Sequence, residues 1–205
     1  MRKITINLAA VAAFCIVVAS PALVSSSCAT PKTEQEDTTI IREDSGITAL
    51  KYSSPEVPTS IEFCGKTIDL SRFDRHERMD RELLAFTYMH STSLQMLKKA
   101  NRYFPIVEPI LKENGIPDDF KYLMVIESNM NPTARSSAGA AGLWQFMQGT
   151  GRDYGLEVNN NVDERYHIEK ATRAACRYLK DAYAKYKDWV AVAASYNAGQ
   201  ARIAS

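Results

Sequence analysis

The sequence is poor in the residues from which most metal, phosphate and nucleic-acid sites are built. It has three histidines in 205 residues, His76, His90 and His167, and they are scattered without metal-ligand spacing. Nine glycines form no Gly-rich phosphate loop, and no Gly-x-Ser-x-Gly elbow occurs. Basic and acidic residues nearly cancel, 25 against 24, and no Lys/Arg block stands out. That balance lacks the electrostatic footprint of a nucleic-acid binder. No metal, cofactor or nucleic-acid partner is therefore expected.

Cysteine is also scarce: Cys15, Cys28, Cys64 and Cys176. Four such residues do not make the dense framework of a small stapled domain. A chain of this length can bury a core without staples. A Cys64–Cys176 disulfide is permitted in an oxidising compartment, but two small buried hydrophobes are the simpler expectation.

What the sequence does have begins at its first residues. Arg2 and Lys3 precede an apolar run from Ile4 to Val24, and small residues follow up to Cys28. This is the order of an export signal, and Pro21 with the serine cluster favours a removed signal over a spanning anchor. Without residues 1–28 the net charge would be −1. Cys28, after Ser25-Ser26-Ser27, resembles the lipid-acceptor cysteine of bacterial lipoproteins, although Ser25 stands where that motif usually has leucine. Residues 29–60 are rich in Thr, Ser, Glu and Asp, carry Pro31, Pro55 and Pro58, and show no hydrophobic period. They read as a disordered tether. One domain, residues 61–205, remains.

That domain reads as all-α, with a small hairpin around Cys64-Gly65-Lys66 at its start. Met79, Leu83, Leu84, Phe86 and Met89, then Leu94, Leu97 and Tyr103, recur at the spacing of a long or broken helix. A short helix is expected from Pro105 to Lys112, closed by Asn114-Gly115. Pro117-Asp118-Asp119 opens the next, with acidic groups at its positive end. "AAGLWQFMQGTGRDYG" suggests a further helix capped by Gly155. Ala171, Ala174, Ala175, Tyr178, Leu179, Ala182 and Tyr186 form a stripe of small and aromatic residues, read as core packing. Asp188 is placed to cap a last helix carrying Trp189, Val192, Ala193 and Tyr196.

One residue conflicts with this plan. In "YLMVIESNMNP", Tyr122 to Pro132, Glu127 closes an almost wholly apolar run and shares a helix face with Leu123 and Met124. Burial there raises a carboxyl pKa. Pro132 biases Asn131 away from helical geometry, so Glu127 should lie in the last turn, where the helix dipole pushes the same way. A carboxyl that keeps its proton near neutral pH suits a general acid. The alternative is a structural glutamate paired with Arg165 or Arg173.

The residues that follow favour chemistry on sugars. Gly139 and Gly142 permit close backbone approach, Ser136 and Ser137 offer hydroxyls, and Trp144, Gln145 and Met147 open an expected helix with mixed polar and apolar reach. "SYNAG", Ser195 to Gly199, again combines a phenol and an amide with a glycine. Hydroxyls, amides and flat apolar surface together are what a sugar ring requires.

"ESNMNP", "SSAGAAGLWQFM", "VDERYHIEKATRAACRYL" and "ASYNAG", in that order, resemble the soluble-type lytic transglycosylase domain, and most closely the membrane-bound lytic murein transglycosylase D branch of that family. The resemblance runs from about Arg75 to Ser205. It implies a lysozyme-like helical fold with a groove for peptidoglycan glycan strands. By position it implies Glu127 as the single catalytic acid, Ser136 holding substrate near it, Gln145 and Met147 lining the cleft, and Tyr196 with Asn197 at the site. Asp163, Glu164 and Arg165 in "VDER" read as anchors of a loop and a helix start. An ordinary glycosidase needs two carboxylates, and Asp153, Glu157 and Asp163 all sit in polar surroundings. The resemblance therefore implies cleavage of the MurNAc–GlcNAc bond with closure of a 1,6-anhydro ring by Glu127 acting twice. The implied setting is a bacterial envelope, periplasmic, with a membrane contact through Cys28 and with other cell-wall enzymes as candidate partners. A hydrolytic lysozyme is one alternative. The other is a non-catalytic glycan-binding scaffold, suggested by a C-terminus shorter than that of relatives.

Overall fold

The computed structural model describes residues 55–198, with side chains as far as Tyr196. The expected signal, Cys28 and residues 29–54 of the expected tether lie outside it. The domain opens with the expected hairpin: β1 (Ser60–Phe63) pairs antiparallel with β2 (Lys66–Asp69). Its two-residue turn, Cys64-Gly65, has φ of +50° and +75°. Positive φ at both positions matches the right-handed twist of the strands. The Cys64 amide donates to Asp119 at 2.7 Å, and Phe63, fully buried, meets Phe120 at 6.2 Å between ring centres. The hairpin is thereby fastened to the helical body.

Six α-helices follow: α1 (Phe73–Tyr88), α2 (His90–Glu113), α3 (Leu123–Ser128), α4 (Gln148–Asp153), α5 (Ile168–Tyr186) and α6 (Trp189–Ala198). The expected break in the first helical stretch falls at Met89, whose amide still bonds Ala85 while Ser93 Oγ donates to the Phe86 carbonyl at 2.6 Å. The expected separate helix at Pro105–Lys112 is instead the second half of α2, which runs on through Pro105 and Pro109. Each interior proline costs about 3 kcal/mol. Ala100, Tyr103, Phe104, Val107, Ile110 and Leu111 are all buried along this helix. At about 1.5–3 kcal/mol for each large apolar side chain, that burial outweighs the two prolines. Asn114-Gly115 ends the helix as expected, with Gly115 at φ +68°.

Two further expectations need correction. The segment from Asp118 begins as a 3-10 turn, Asp118–Tyr122, and becomes α-helical only in α3. "AAGLWQF" is not helical: Ala141 bridges to both Arg135 and Phe146, and only the six residues of α4 form a helix before Gly155. Glycines and left-handed residues within that stretch favour a folded loop over helix propagation.

The main core brings α2, α3, the loop 141–146, α5 and α6 together. Small residues on α5, Ala171, Ala174, Ala175 and Ala182, are buried with α2 against them. Cys176 is buried beside the Ile110 carbonyl and Cys64 sits in the hairpin turn; both are free thiols, so the two are not paired. A second cluster, Ile61, Leu70, Met79 and Leu83, packs β1 and α1 together. Asp188 does cap α6, accepting from the Val190 amide at 3.0 Å. Among the described residues no helix is long and apolar enough to cross a membrane.

At the centre of the core lies Trp144, fully buried, its indole N–H donating to Thr172 Oγ1 at 3.0 Å. Thr172 in turn donates to the Ile168 carbonyl. Thr172→Val keeps the shape and orphans a buried donor, so it should lower the unfolding free energy by about 1–3 kcal/mol. Urea denaturation at neutral pH measures this; an unchanged midpoint would show that the indole finds another partner.

Candidate active site

The candidate site is assembled where α3 ends against the loop 134–147. α3 stops because Asn129 and Met130 are both left-handed, with φ of +49° and +51°. The helix therefore ends before Pro132 can act, and the turn, not the proline, sets its length. Two consecutive left-handed residues without glycine store backbone strain of about 1–3 kcal/mol each. Surrounding bonds hold them: the Asn129 amide donates to Val125, the Met130 amide to Met124, and Lys99 Nζ to the Asn129 carbonyl at 3.0 Å. Ser128, buried, has its hydroxyl within bonding distance of the Met124 carbonyl (2.9 Å) and the Leu143 carbonyl (3.0 Å). The end of α3 is thus placed against the loop that carries the other candidates.

That loop is fixed from below by Arg165. Its guanidinium is buried and donates to the carbonyls of Gly139 (2.8 Å) and Phe146 (3.0 Å), while a bidentate pair joins it to Asp163. Gly142 lies so close that a Cβ there would stand 1.9 Å from the Arg165 carbonyl oxygen, at φ +79°. The expected anchoring role of "VDER" agrees with this geometry. Bonding to Arg165 holds the Asp163 carboxyl below its usual range, and bonding to Lys170 does the same for Glu164.

Glu127 has the opposite character. It is mostly buried, next to the last residue of α3, and burial pushes its pKa from 4.5 up to about 7. Among the described residues no cation pairs with it. Arg165 is held by Asp163, and Arg173 by Glu113 at 3.2 Å, so neither provides the structural ion pair considered from sequence. The dipole contribution expected from sequence is small, because α3 has only six residues. Desolvation is the cause.

Tyr196 on α6 is brought to this carboxyl. Its ring is half-buried, its hydroxyl is enclosed and donates to the Trp144 carbonyl at 2.7 Å, and burial, then the Glu127 charge, hold its pKa well above the ordinary value. Tyr178 meets the Tyr196 ring edge-on at 5.1 Å, and Phe146 and Tyr154 flank Tyr178. The α5 spacing places Tyr178 in the core stripe and cannot show its support of Tyr196, since nothing in a spacing of α5 residues points to a ring on α6.

The other expected residues are placed as follows. Ser136 is half-buried in the loop, and its Oγ accepts from the Ala140 amide at 3.0 Å, which leaves its own proton available. Gln145, at φ +48°, turns its amide nitrogen back onto the Gly142 (2.8 Å) and Ala134 carbonyls, so only its oxygen stays uncommitted in those bonds. Met147 is 46% exposed at the start of α4 and offers an apolar surface. Trp144, expected to give flat apolar surface, is core instead. Asn197 follows Tyr196 in α6, and its side chain lies outside the described residues.

The segment that builds this geometry resembles known proteins. Residues 105–205, just under half of the chain, match the family model described as Transglycosylase SLT domain. Over 128 residues it is 31% identical to membrane-bound lytic murein transglycosylase D of Escherichia coli (strain K12), covering 62% of this chain and 27% of that protein. Over 93 residues it is 33% identical to peptidoglycan transglycosylase gp16 of Escherichia phage T7, covering 44% of this chain and 7% of the phage protein. A protein of Alteromonas sp. (strain M-1) named for tributyltin chloride resistance is 23% identical over 117 residues, 57% of this chain and 56% of that one. The chain thus spans about a quarter of the length of the Escherichia coli relative.

The Glu127 shift carries a stability consequence with a definite sign. Its folded pKa lies above the unfolded value, so the folded state binds this proton more tightly, and stability falls as pH rises from about 4.5 to about 7. Glu127→Gln removes that dependence. The variant should be more stable than the parent by about 2–3 kcal/mol at pH 8, with the difference vanishing below pH ~4.5. Chemical denaturation across that range checks it; equal stabilities at pH 8 would contradict the buried, unpaired carboxyl.

Proposed function

We propose that this chain is a peptidoglycan lytic transglycosylase with a lysozyme-like catalytic domain, residues 61–205, that cleaves the MurNAc–GlcNAc β-1,4 bond and leaves a 1,6-anhydromuramic end. The observation that carries this reading is Glu127: a largely buried carboxyl with a pKa near 7, no cationic partner among the described residues, and a charge that the Tyr196 hydroxyl feels. That state allows a group to give up a proton and then take one back.

In the first step Glu127 protonates the glycosidic oxygen as the bond to C1 of the muramic residue breaks, and the N-acetyl group of that residue stabilises the developing positive charge. In the second, the Glu127 carboxylate removes the proton from the C6 hydroxyl of the same residue, and that oxygen bonds C1. The carboxyl ends as it began. An intramolecular hydroxyl has a high effective concentration relative to solvent. Ser136, with its hydroxyl proton free, would bind a substituent of the sugar, Gln145 would offer its amide oxygen, and Met147 would cover a ring face. Tyr196, its hydroxyl bonded to the Trp144 carbonyl, would close the site on the side of the core, with Asn197 next to it in the chain. The engagement of Asp163 by Arg165 also supports a lyase over a hydrolytic lysozyme, because that carboxylate is bound away from a nucleophile's task.

The sequence before the domain extends this proposal to location. An export signal in residues 1–28, lipid on Cys28 and a tether of residues 29–60 would hold the domain at a membrane of the bacterial envelope, within reach of glycan strands and of other cell-wall enzymes.

Digestion of purified peptidoglycan followed by mass spectrometry tests the reaction. Products one water lighter than hydrolytic fragments are expected; reducing ends alone would assign a lysozyme, and binding without products would assign a scaffold. Glu127→Gln should lower turnover by at least about 10²-fold while sparing binding. The rate for the parent should fall as pH rises through about 7, where Glu127 loses its proton.

A further inference from the structure

Some cations of this domain are neutralised: Lys66, Arg72, Arg81, Lys121, Lys170 and Arg173 each pair with a carboxylate. Others are not, and three of these are gathered on one helix face. Between Glu82 and Glu108 the sequence has no acidic residue, yet it carries Lys98, Lys99 and Arg102. With Gln95 these side chains fall at i, i+3, i+4 and i+7, on one face of α2, and line a shallow depression of about 160 Å³. Gln95, Lys98 and Arg102 are exposed and Lys99 is half-buried, and among the described residues no carboxylate pairs with any of the three cations. Like charges three and four residues apart disfavour the helix that carries them. The buried face of α2 carries that cost, so the row either serves an external anion or is a plain solvated face.

The position of Lys99 decides between these. Its Nζ bonds the Asn129 carbonyl at 3.0 Å, in the strained left-handed turn that begins two residues after Glu127. The cationic row therefore starts at the candidate catalytic turn and leads away from it along α2, from Lys99 and Arg102 to Lys98 and Gln95.

We propose that this row is a subsite for the free carboxylates of the peptide stems on the glycan strand whose sugar bond is held at Glu127. The inference rests on the proposed reading of the substrate as peptidoglycan. It adds that the chain recognises the stems as well as the sugars, through Lys98 and Arg102, with Lys99 holding the row to the turn. A cationic ammonium or guanidinium beside a carboxylate makes a charge-assisted bond. The unpaired state of the row means that no internal partner must first be displaced.

The test compares the parent with a Lys98→Ala/Arg102→Ala double variant, leaving Lys99 intact because it bonds the turn. Both residues are exposed, and circular dichroism confirms that the variant is folded. Co-sedimentation with intact sacculi and with sacculi stripped of their stems by an amidase gives binding, and product mass spectrometry runs alongside. The variant should bind intact sacculi about tenfold more weakly than the parent and match it on stripped sacculi. Equal binding of parent and variant to intact sacculi overturns the proposal, as does an equal loss on both substrates. Flotation with anionic vesicles is the further arm: loss of vesicle binding in the variant with sacculus binding unchanged would assign the row to a lipid surface and overturn it. Stem-dependent binding without anhydro products would leave the subsite standing while removing the transglycosylase reading.

Discussion

The structure depends on one constraint, that an ionisable carboxyl is kept in a largely apolar setting with no cation among the described residues to compensate it. Everything around Glu127 serves or tolerates that. α2, the turn before α3 and α3 itself supply the buried apolar mass, the last with Leu123, Met124 and Val125. The candidate cations are withheld: Arg165 is taken by Asp163 and by two loop carbonyls, and Arg173 by Glu113. A single freed guanidinium beside Glu127 would lower its pKa by one to three units and remove the acid. The Asp163–Arg165 pair therefore has two effects: it holds the loop, and it keeps a cation engaged away from the carboxyl.

The second feature is a chain of backbone carbonyls used as fixing points. Leu143 accepts from Ser128, Trp144 from Tyr196, and Phe146 and Gly139 from Arg165. One irregular loop is thus tied to α3, α6 and the turn before α5 through its main chain rather than its side chains. Main-chain ties leave Ser136, Gln145 and Met147 to present different chemistry on a fixed frame, and they explain why an irregular segment can be as well buried as the helices around it.

Much of this was legible in the sequence, and the remainder failed for identifiable reasons. The hairpin followed from Cys64-Gly65, the last helix from Asp188, and the buried glutamate from its apolar neighbours. Periodicity could not foresee that α2 continues through Pro105 and Pro109, because the compensating contacts are made with α5, far along the chain. "GLWQFM" has helix-compatible residues but forms a loop, since Gly142 must approach the Arg165 backbone and Gln145 adopts positive φ. For the same reason Trp144 is core rather than part of a helix of mixed polar and apolar reach. Spacing also could not show that Tyr178 supports Tyr196, or that Thr172 accepts from the indole, because both are contacts between distant elements.

The account rests on the protonation state of a single side chain, and that state can be read without substrate. Carboxyl-carbon NMR of the protein labelled at glutamate, titrated from pH 4 to 9, with Glu127→Gln used to assign the resonance, measures it directly. The account predicts a titration midpoint near 7 for Glu127. A midpoint at the ordinary glutamate value of about 4.3 would contradict it.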